Sequence, residues 1–291
     1  MDVKKIGVLC IIAASLMWAI EPIVVKIAYS RSSFITTFTI RTIVISLIAV
    51  GYIFFTNKGK FKVNRKEIPM LAYVAIVGTL VADLLYYFAL TKVAVINAVL
   101  IGHMQPVFIV LIGFFILKED KLTKFDYIGI IIMTFASLMV TTRTIENLLA
   151  FKLGTWGDVF VLMSTISWAS VAIVARKYLR TMNVGVLVFY RYSVAAVALI
   201  VYLMIQKGLG FPNIYQILSG VIVGIGVLLY YEGLKRIKAA QVTSLELTTP
   251  FFAAIFGFLF LKEVVTFMQI IGILLLVFGI YFISKKEETY F

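Results

Sequence analysis

Apolar residues fill most of the chain in long runs that are separated by short polar or charged segments. A helix needs about 20 mostly apolar residues to cross a bilayer. Ten runs meet this requirement and are predicted as transmembrane helices, at 6–28, 34–56, 68–90, 93–117, 125–142, 157–175, 184–205, 214–234, 239–261 and 267–284. Most connections are very short, so consecutive helices are predicted to be antiparallel neighbours. The pattern indicates an all-α polytopic membrane protein.

The apolar pattern also repeats within the chain. The segment NAVLIGHMQPVFIVLIGFFILKE (97–119) has a counterpart in TSLELTTPFFAAIFGFLFLKE (243–263), and their prolines, Pro106 and Pro250, lie 144 residues apart. Upstream of each, the phrases YYFALTK and YYEGLKR recur at the same offset. Further residues recur at an offset of 150: Gly7, Trp18, Lys26 and Arg41 match Gly157, Trp168, Arg176 and Arg191. An internal repeat of this length indicates two related structural units.

Each repeat contains five predicted helices, which is an odd number, so the second copy is expected to enter the membrane from the opposite side. We therefore predict an inverted repeat, with residues 1–147 as the first unit and 148–291 as the second, together forming one transport domain. Inverted repeats of this kind are typical of secondary transporters, which bind substrate near the bilayer midplane between the units.

The charge distribution supports this topology. With the N-terminus in the cytoplasm, 17 Lys and Arg residues fall on the cytoplasmic side and 6 on the other. That bias follows the positive-inside rule, so both termini are predicted to be cytoplasmic. It also accounts for the net charge of +13 without a nucleic-acid partner.

Composition excludes several classes of protein. The chain is 62% hydrophobic and 14% charged, with a mean hydropathy of +1.05, unlike a soluble domain. The first run follows Lys4 and Lys5 but lacks a small-residue cleavage site, so we interpret it as a retained helix and not as a signal peptide. One cysteine and one histidine exclude a disulfide framework and disfavour a metal site, and no cofactor is predicted. The lack of organellar targeting and the compact loops favour a prokaryotic plasma (inner) membrane.

The matching phrases resemble a known family. WAIEPIVVK (18–26), GDVFVLMSTISWASVAIVARKYL (157–179), the two matched arginines and the two proline helices ending in Leu-Lys-Glu are similar to the EamA-type branch of the drug/metabolite transporter superfamily. The resemblance implies ten helices in two inverted five-helix repeats around a central cavity. It also implies movement of small metabolites, often amino acids or related solutes outward. A more distant relative, the small multidrug exporter, carries a proton-binding glutamate eight residues before a lysine, where this chain has Trp18 before Lys26.

The two prolines indicate where a binding site could form. Proline lacks an amide hydrogen and clashes with the carbonyl four residues earlier, so Pro106 leaves the carbonyl of Gly102 without its helical donor and Pro250 does the same to Glu246. Unpaired carbonyls inside a membrane persist only where protein or cavity water satisfies them. We expect Pro106 and Pro250 to break or gate their helices, the alternative being a plain packing kink.

Ionisable and polar residues flank both prolines. His103 is predicted to contact substrate or carry a proton, the alternative being a buried histidine bonded to a neighbouring helix. Glu246 is a candidate for the same functions, the alternative being a buried partner of a lysine or arginine. Gln105 and Thr249, each just before its proline, add polar groups at the same depth.

Four further residues complete the candidate site: Glu21, Asp83, Trp18 and Trp168. A local ion pair with Lys26 is the simpler interpretation of Glu21, whereas Asp83 lacks a partner nearby in sequence. The two tryptophans are expected either to line the cavity and stack on an aromatic or cationic substrate or to be ordinary apolar residues.

Other polar and aromatic residues are predicted to be structural. Glu232 should pair with Arg236 four residues on, and Arg41 and Arg191 should hold neighbouring helix ends. The Lys-Glu ends of the fourth and ninth helices should mark the membrane interface. Interfacial anchoring is the default prediction for four tyrosines, namely Tyr86, Tyr87, Tyr230 and Tyr231.

The sequence therefore predicts a secondary transporter, in the exporting direction, of small metabolites such as amino acids or related amines. Its partners would be a small-molecule substrate, the lipid bilayer and protons as a candidate coupling ion. A multidrug or polyamine-type cation exporter is the alternative transporter, and a non-transporting scaffold or receptor is the alternative from another class. An intramembrane enzyme is disfavoured, because His103 has no serine in a protease-like setting and no second histidine.

Overall fold

The computed structural model describes residues 3–113, 115, 124–151, 154–178, 182–206, 208, 210–236, 242, 245–246 and 248–284, in which every regular element is helical. The α-helices are α1 (Val3–Tyr29), α2 (Phe34–Asn57), α3 (Ile68–Ala75), α4 (Leu84–Ala89), α5 (Val95–Gly102), α6 (Gln105–Ile112), α7 (Lys124–Thr142), α8 (Ile145–Leu149), α9 (Trp156–Tyr178), α10 (Val184–Ile205), α11 (Ile214–Leu234), α12 (Thr248–Leu261) and α13 (Phe267–Ser284). A 3₁₀ turn, Arg65–Glu67, precedes α3, and a π-helical segment, Ile76–Asp83, joins α3 to α4.

The apolar helices agree with the ten predicted runs. Six are long and apolar enough to cross a membrane: Lys5–Tyr29, Phe34–Asn57, Arg65–Ala89, Trp156–Ala175, Val184–Ile205 and Ile214–Leu234. Four shorter apolar helices cover Val95–Ile109, Tyr127–Thr142, Thr248–Leu261 and Phe267–Phe282. The prediction of an all-helical membrane protein is therefore confirmed. The predicted run 239–261 is described as a helix from Thr248, and the Leu-Lys-Glu end of the fourth helix lies outside the described residues.

Short polar side chains determine where several helices begin. The Ser33 hydroxyl accepts a hydrogen bond from the backbone N–H of Thr36 at the start of α2. Asn213 and Gln216 form a reciprocal capping box at the start of α11. Because the first N–H groups of a helix have no partner within it, these side chains supply the missing acceptors.

Glycines allow close packing between helices of different repeats. A Cβ atom at Gly233 on α11 would lie 2.5 Å from Ile11 Cδ1 on α1, and one at Gly220 would lie 2.6 Å from Val44 Cβ on α2. The absence of a side chain therefore lets α11 lie against both helices, as small residues commonly do between membrane helices. The two repeats form one packed body.

Helix α5 lies at the centre of this body. Every residue from Val95 to Ile101 is buried. A helix that is apolar all round belongs in an interior, where each of its faces meets another helix. Helices α1, α7, α9 and α12 pack around it. The residue that follows α5, His103, is thereby placed inside the protein.

Candidate functional site

The fourth predicted helix is broken at its proline. Helix α5 ends at Gly102 and α6 begins at Gln105, with His103 and Met104 in a turn between them. Pro106 is the second residue of α6, where a missing amide hydrogen costs little because the first helical N–H groups have no internal partner. The predicted helix break is therefore observed, and it places His103 at the joint.

The second proline exposes a backbone acceptor to that joint. Pro250 lies in α12, so the carbonyl of Glu246 lacks the N–H that a residue at position 250 would normally donate. His103 Nε2 lies 3.2 Å from this carbonyl oxygen, and His103 Nδ1 lies 2.7 Å from the carbonyl oxygen of Val99. The single histidine of one repeat thus contacts the proline-freed carbonyl of the other.

Two side chains close to Pro250 in the sequence have no partner among the described residues. Among the described residues, none forms a hydrogen bond or ion pair with the Glu246 carboxylate, which is half-buried. The Thr249 hydroxyl is fully buried and likewise lacks a partner within the described part of the chain. Gln105 is half-buried at the start of α6. Thr243, expected on the same helix face as Glu246, lies outside the described residues.

A buried ion pair joins the first three predicted membrane spans. Arg41 Nε donates to Glu21 Oε1 at 3.1 Å, Arg41 Nη2 donates to the Tyr87 hydroxyl at 2.8 Å, and that hydroxyl donates to Glu21 Oε2 at 2.6 Å. The prediction that Glu21 pairs with Lys26 is therefore wrong. Glu21 is 1% exposed and Arg41 is 2% exposed, so the two charges compensate each other away from solvent. Arg41 Nη1 is buried and has no partner among the described residues.

A second buried ion pair joins the two repeats. Arg191 Nη2 lies 3.1 Å from Asp83 Oδ1 and 3.3 Å from the carbonyl of Gly78, while Arg191 Nε lies 3.3 Å from Thr79 Oγ1. Gly78, Thr79 and Asp83 all belong to the π-helical segment. A π-helical turn changes the usual hydrogen-bond pairing of the backbone and often occurs at functional sites. Asp83, which lacks a partner nearby in sequence, finds one here 108 residues away.

The two arginine clusters have matching aromatic neighbours. Trp18 packs against Tyr230 and its repeat mate Trp168 packs against Tyr86, with tilted rings whose centroids are 5.0 Å apart in both pairs. Arg41 contacts Tyr87, and Arg191 contacts the repeat mate of that tyrosine, Tyr231. These tyrosines are buried or half-buried within the bundle. The prediction of interfacial anchoring is therefore wrong for them, because their hydroxyls and rings belong to the arginine clusters.

The acidic partners differ between the clusters. Glu21 on α1 forms an ion pair with Arg41, whereas the matching position in the second repeat is Val171. Asp83 in the π-helical segment forms an ion pair with Arg191, whereas its matching position is Val227. The indole N–H of Trp168 donates to Asp83 at 2.7 Å, whereas among the described residues none accepts from the indole of Trp18. The arginines therefore do more than hold helix ends, as each is neutralised by a carboxylate within the bundle. Sequence reasoning did not predict these pairs, although the recurrence of both arginine and tyrosine is the signal that could have found them.

A third polar cluster lies at the end of the bundle where α5 begins. Lys26 Nζ lies 3.2 Å from Glu263 Oε1, and the same carboxylate accepts hydrogen bonds from the backbone N–H groups of Val95 and Ile96. Asn97 adds to the cluster by accepting from Gln269 at 2.5 Å and donating to Asp158 at 3.2 Å. Glu263 therefore connects α1 to the start of α5. The prediction that it marks the membrane interface did not include these contacts.

The predicted ion pair between Glu232 and Arg236 is present at the C-terminal end of α11. Glu232 forms an ion pair with Arg236 and also accepts a hydrogen bond from Tyr52 at 2.6 Å. Lys235, just after the helix, donates to the carbonyl of Met182 at 2.5 Å. Partial burial lowers the pKa of the Lys235 ammonium from its ordinary value.

Within the described part of the chain, no group of three His, Cys, Asp or Glu side chains could hold a metal ion.

Comparison with known proteins gives the chain its relatives. The sequence model of the EamA-like transporter family matches residues 5–142 and 155–285. An uncharacterized transporter of Synechocystis sp. is 27% identical over 240 residues, which cover 75% of this chain and 66%, just under two thirds, of that protein. The uncharacterized inner membrane transporter YhbE of Escherichia coli is 24% identical over 261 residues, which cover 87% of this chain and 80% of YhbE.

The fold has a counterpart among solved structures. One crystallographically determined protein chain superposes with a TM-score of 0.68, at 14% sequence identity, over 99% of this chain and 100% of its own length. At that identity the likeness concerns the fold alone.

Proposed function

The chain belongs to the EamA-like transporter family, and we propose that it is a secondary transporter that exports small metabolites, such as amino acids or related amines, by alternating access. Family membership makes it a multi-pass membrane transporter and not an enzyme. The substrate, the direction and the coupling are our proposals. The inner-membrane relative in Escherichia coli supports a prokaryotic plasma membrane as its location.

One observation carries the proposal, namely the contact between His103 and the carbonyl of Glu246. It joins the two proline-containing segments of the two repeats inside the bundle. A substrate site formed by discontinuous helices at the interface between repeats is the arrangement that secondary transporters use. Ionisable groups at this depth are costly, which favours a functional role for both residues.

Unpartnered polar groups support a zwitterionic substrate. Within the described residues, Arg41 Nη1 is a buried donor without an acceptor, and the Ser15 and Thr249 hydroxyls are buried without partners. The Glu246 carboxylate is free of described partners as well. Buried polar groups are nearly always hydrogen-bonded, so groups that protein atoms leave unpaired are candidates to bind ligand or water. A guanidinium donor suits a carboxylate and a free carboxylate suits an ammonium, which together describe an amino acid.

The aromatic pairs connect these groups. Trp18 lies one turn before Glu21, the partner of Arg41, and packs against Tyr230, which is close enough to Glu246 to interact electrostatically. Trp168 packs against Tyr86 and lies beside Gly102, the last residue of α5. The tryptophans are therefore proposed to form the apolar walls that contact the substrate side chain.

Alternating access requires the bundle to close at one end at a time. We assign the first unit to residues 1–147 and the second, inverted unit to 148–291, with both termini in the cytoplasm. The ion pair between Lys26 and Glu263 joins the two units at the end where α5 begins, which that topology places on the external side. Pro106 and Pro250 provide the flexible points about which each broken helix moves.

A cation exporter of the multidrug or polyamine type is the second candidate. The observation that favours it is the carboxylate of Glu246, which has no partner among the described residues, near the tilted rings of Tyr230 and Trp18, since aromatic faces and carboxylates bind organic cations.

Ligand-dependent thermal unfolding of the detergent-purified protein tests the proposal. A ligand that binds only the folded state raises the unfolding midpoint with its concentration. We expect amino acids to stabilise the wild type and to lose this effect in His103→Ala and Glu246→Gln. Stabilisation by polyamines or quaternary amines but not by amino acids would establish the cation exporter instead. If amino acids, amines, nucleosides and sugar phosphates all fail to stabilise the protein or to cross proteoliposome membranes, a non-transporting scaffold or receptor becomes the better account.

A further inference from the structure

The imidazole of His103 has an unusual set of partners. Its Nδ1 atom faces the carbonyl oxygen of Val99 at 2.7 Å, and its Nε2 atom faces the carbonyl oxygen of Glu246 at 3.2 Å. A backbone carbonyl oxygen can only accept hydrogen bonds. A neutral imidazole has one N–H donor and one bare nitrogen, whereas an imidazolium has two donors. Only the protonated ring satisfies both contacts at once.

We propose that His103 is the proton-binding site of this transporter, held as an imidazolium between the carbonyls of Val99 and Glu246, with the Glu246 carboxylate as its counter-charge. The proposal rests on the proposed transport function and specifies how one of its sites works. The contact to Val99 lies within α5 and its following turn, but the contact to Glu246 crosses to the other repeat. Movement of the repeats against each other therefore breaks only the second contact.

Pro250 is the residue that makes the second carbonyl available. In an uninterrupted helix the N–H of residue 250 would donate to the carbonyl of Glu246, whereas proline has no N–H to give. The imidazolium supplies the missing donor. Proton binding and the approach of the two repeats thus stabilise each other. The proton supplies the donor that the Glu246 carbonyl lacks, and the approach of the repeats supplies the acceptor that the Nε2–H group needs. Release of the proton would follow when the repeats separate and Nε2 loses its acceptor.

Several charged groups on the surrounding helices already have partners. On α1, Glu21 binds Arg41 and Lys26 binds Glu263. Asp158 on α9 accepts hydrogen bonds from Asn97 and Thr155. On α7, Lys124 is the first residue of the helix, and no described residue from 127 to 142 is charged. Just before α12, Glu246 alone presents a carboxylate without a described partner. Within the described residues it is therefore the charge left to offset the cost of an imidazolium at this half-buried position.

The composition of the chain makes a direct test simple. His103 is the only histidine, so ¹⁵N-histidine labelling of the full-length protein gives the two ring nitrogens of one residue. We expect both nitrogens to be protonated at mildly acidic pH and to show through-hydrogen-bond couplings to two carbonyl carbons, one of them that of Glu246. On raising the pH, one proton should leave and the coupling to Glu246 should disappear with it. A ring with one bare nitrogen at every pH at which the protein is folded would overturn the proposal.

Variants distinguish this site from an ordinary titrating histidine. Pro250→Ala returns an N–H to the Glu246 carbonyl, so the affinity of His103 for its proton should fall about threefold to tenfold. Gly51→Ala adds a methyl group where nothing lies within 4 Å and should leave the proton affinity unchanged. Glu246→Gln should lower the affinity while keeping the carbonyl contact. Equal proton affinities in the wild type and Pro250→Ala would refute the role of the freed carbonyl.

A flux assay separates this inference from the function on which it rests. A pH gradient across proteoliposomes should drive amino-acid movement in the wild type and in Gly51→Ala, but not in His103→Gln. If the labelled histidine titrates as described and no pH gradient drives flux of any solute, the proton site stands and proton-coupled transport is excluded.

Discussion

Lys26 and Glu263 lie 237 residues apart in the sequence, yet the lysine Nζ is 3.2 Å from the glutamate Oε1. The same carboxylate accepts hydrogen bonds from the N–H groups of Val95 and Ile96, at 2.9 Å and 3.3 Å. Helix α5 has no side-chain cap of its own, since residue 94 is alanine. Glu263, which follows α12, therefore caps α5 and binds a lysine of α1, and these contacts tie the two repeats together at one end.

We expect Glu263→Ala to destabilise the protein more than Lys26→Met. Loss of the carboxylate leaves the α5 terminus uncapped, at a cost of about 0.5–2 kcal/mol, whereas loss of the partly exposed lysine removes about 0.2–1 kcal/mol. Unfolding in mixed detergent micelles measures both variants. Lys262→Met, a substitution of the exposed neighbour, is the control. Equal losses in the two variants would mean that the cap contributes nothing.

The Arg41–Glu21 pair should behave as a unit. Arg41→Met leaves a buried carboxylate uncompensated and should cost about 3–5 kcal/mol of unfolding free energy. Adding Glu21→Gln to that variant should recover part of the loss, because no net charge remains buried. Arg31→Met, at an exposed arginine, should change stability little. A double variant less stable than Arg41→Met would mean that the hydrogen bond from Tyr87 to the Glu21 carboxylate outweighs the cost of the uncompensated charge.

The two repeat-mate tryptophans should differ on substitution by phenylalanine. Trp168→Phe removes the 2.7 Å hydrogen bond to the Asp83 carboxylate and should cost about 1–3 kcal/mol. Trp18 has no acceptor for its indole N–H among the described residues, so Trp18→Phe should lose only the smaller packing contribution. Unfolding midpoints of the two variants, measured in one detergent, give the comparison. The reverse order would mean that the Asp83 contact does not stabilise the fold.

Close helix packing at Gly220 can be tested against a second glycine. A Cβ at Gly220 would lie 2.6 Å from Val44 Cβ and 3.0 Å from the carbonyl of Arg41, so Gly220→Ala should destabilise by about 1–3 kcal/mol. A Cβ at Gly51 meets nothing within 4 Å, so Gly51→Ala should stabilise α2 by up to about 1 kcal/mol. Opposite signs in thermal unfolding are the expected result, and tolerance of alanine at both sites would contradict the packing.

Glu246→Gln should abolish pH-driven flux while the protein remains folded. The substitution keeps the size and the backbone carbonyl of residue 246 but removes its charge. Flux in proteoliposomes with and without a pH gradient provides the measurement, and a normal unfolding midpoint shows that the fold survives. Unchanged coupling in this variant would remove the Glu246 carboxylate from the mechanism.

Several features could be predicted from the sequence because they depend on local chemistry. The ten apolar runs follow from the length needed to span a bilayer, and the break near Pro106 follows from the missing amide hydrogen. The pair between Glu232 and Arg236 follows from helical spacing alone. The prolines also identified the carbonyl of Glu246 as an acceptor in need of a donor.

The tertiary structure alone decided which groups meet. Glu21 was assigned to the nearest lysine in sequence, but its partner is Arg41 on the next helix, and Asp83 binds an arginine 108 residues away. Membrane helices that are apolar on every side carry no stripe to indicate which face turns toward which neighbour. Helix rotation is set by the fit of small residues and by the need to pair each buried charge, and both depend on the whole bundle at once. The sequence therefore determined the helices, their breaks and the polar groups in need of partners, and the packing determined which partners they found.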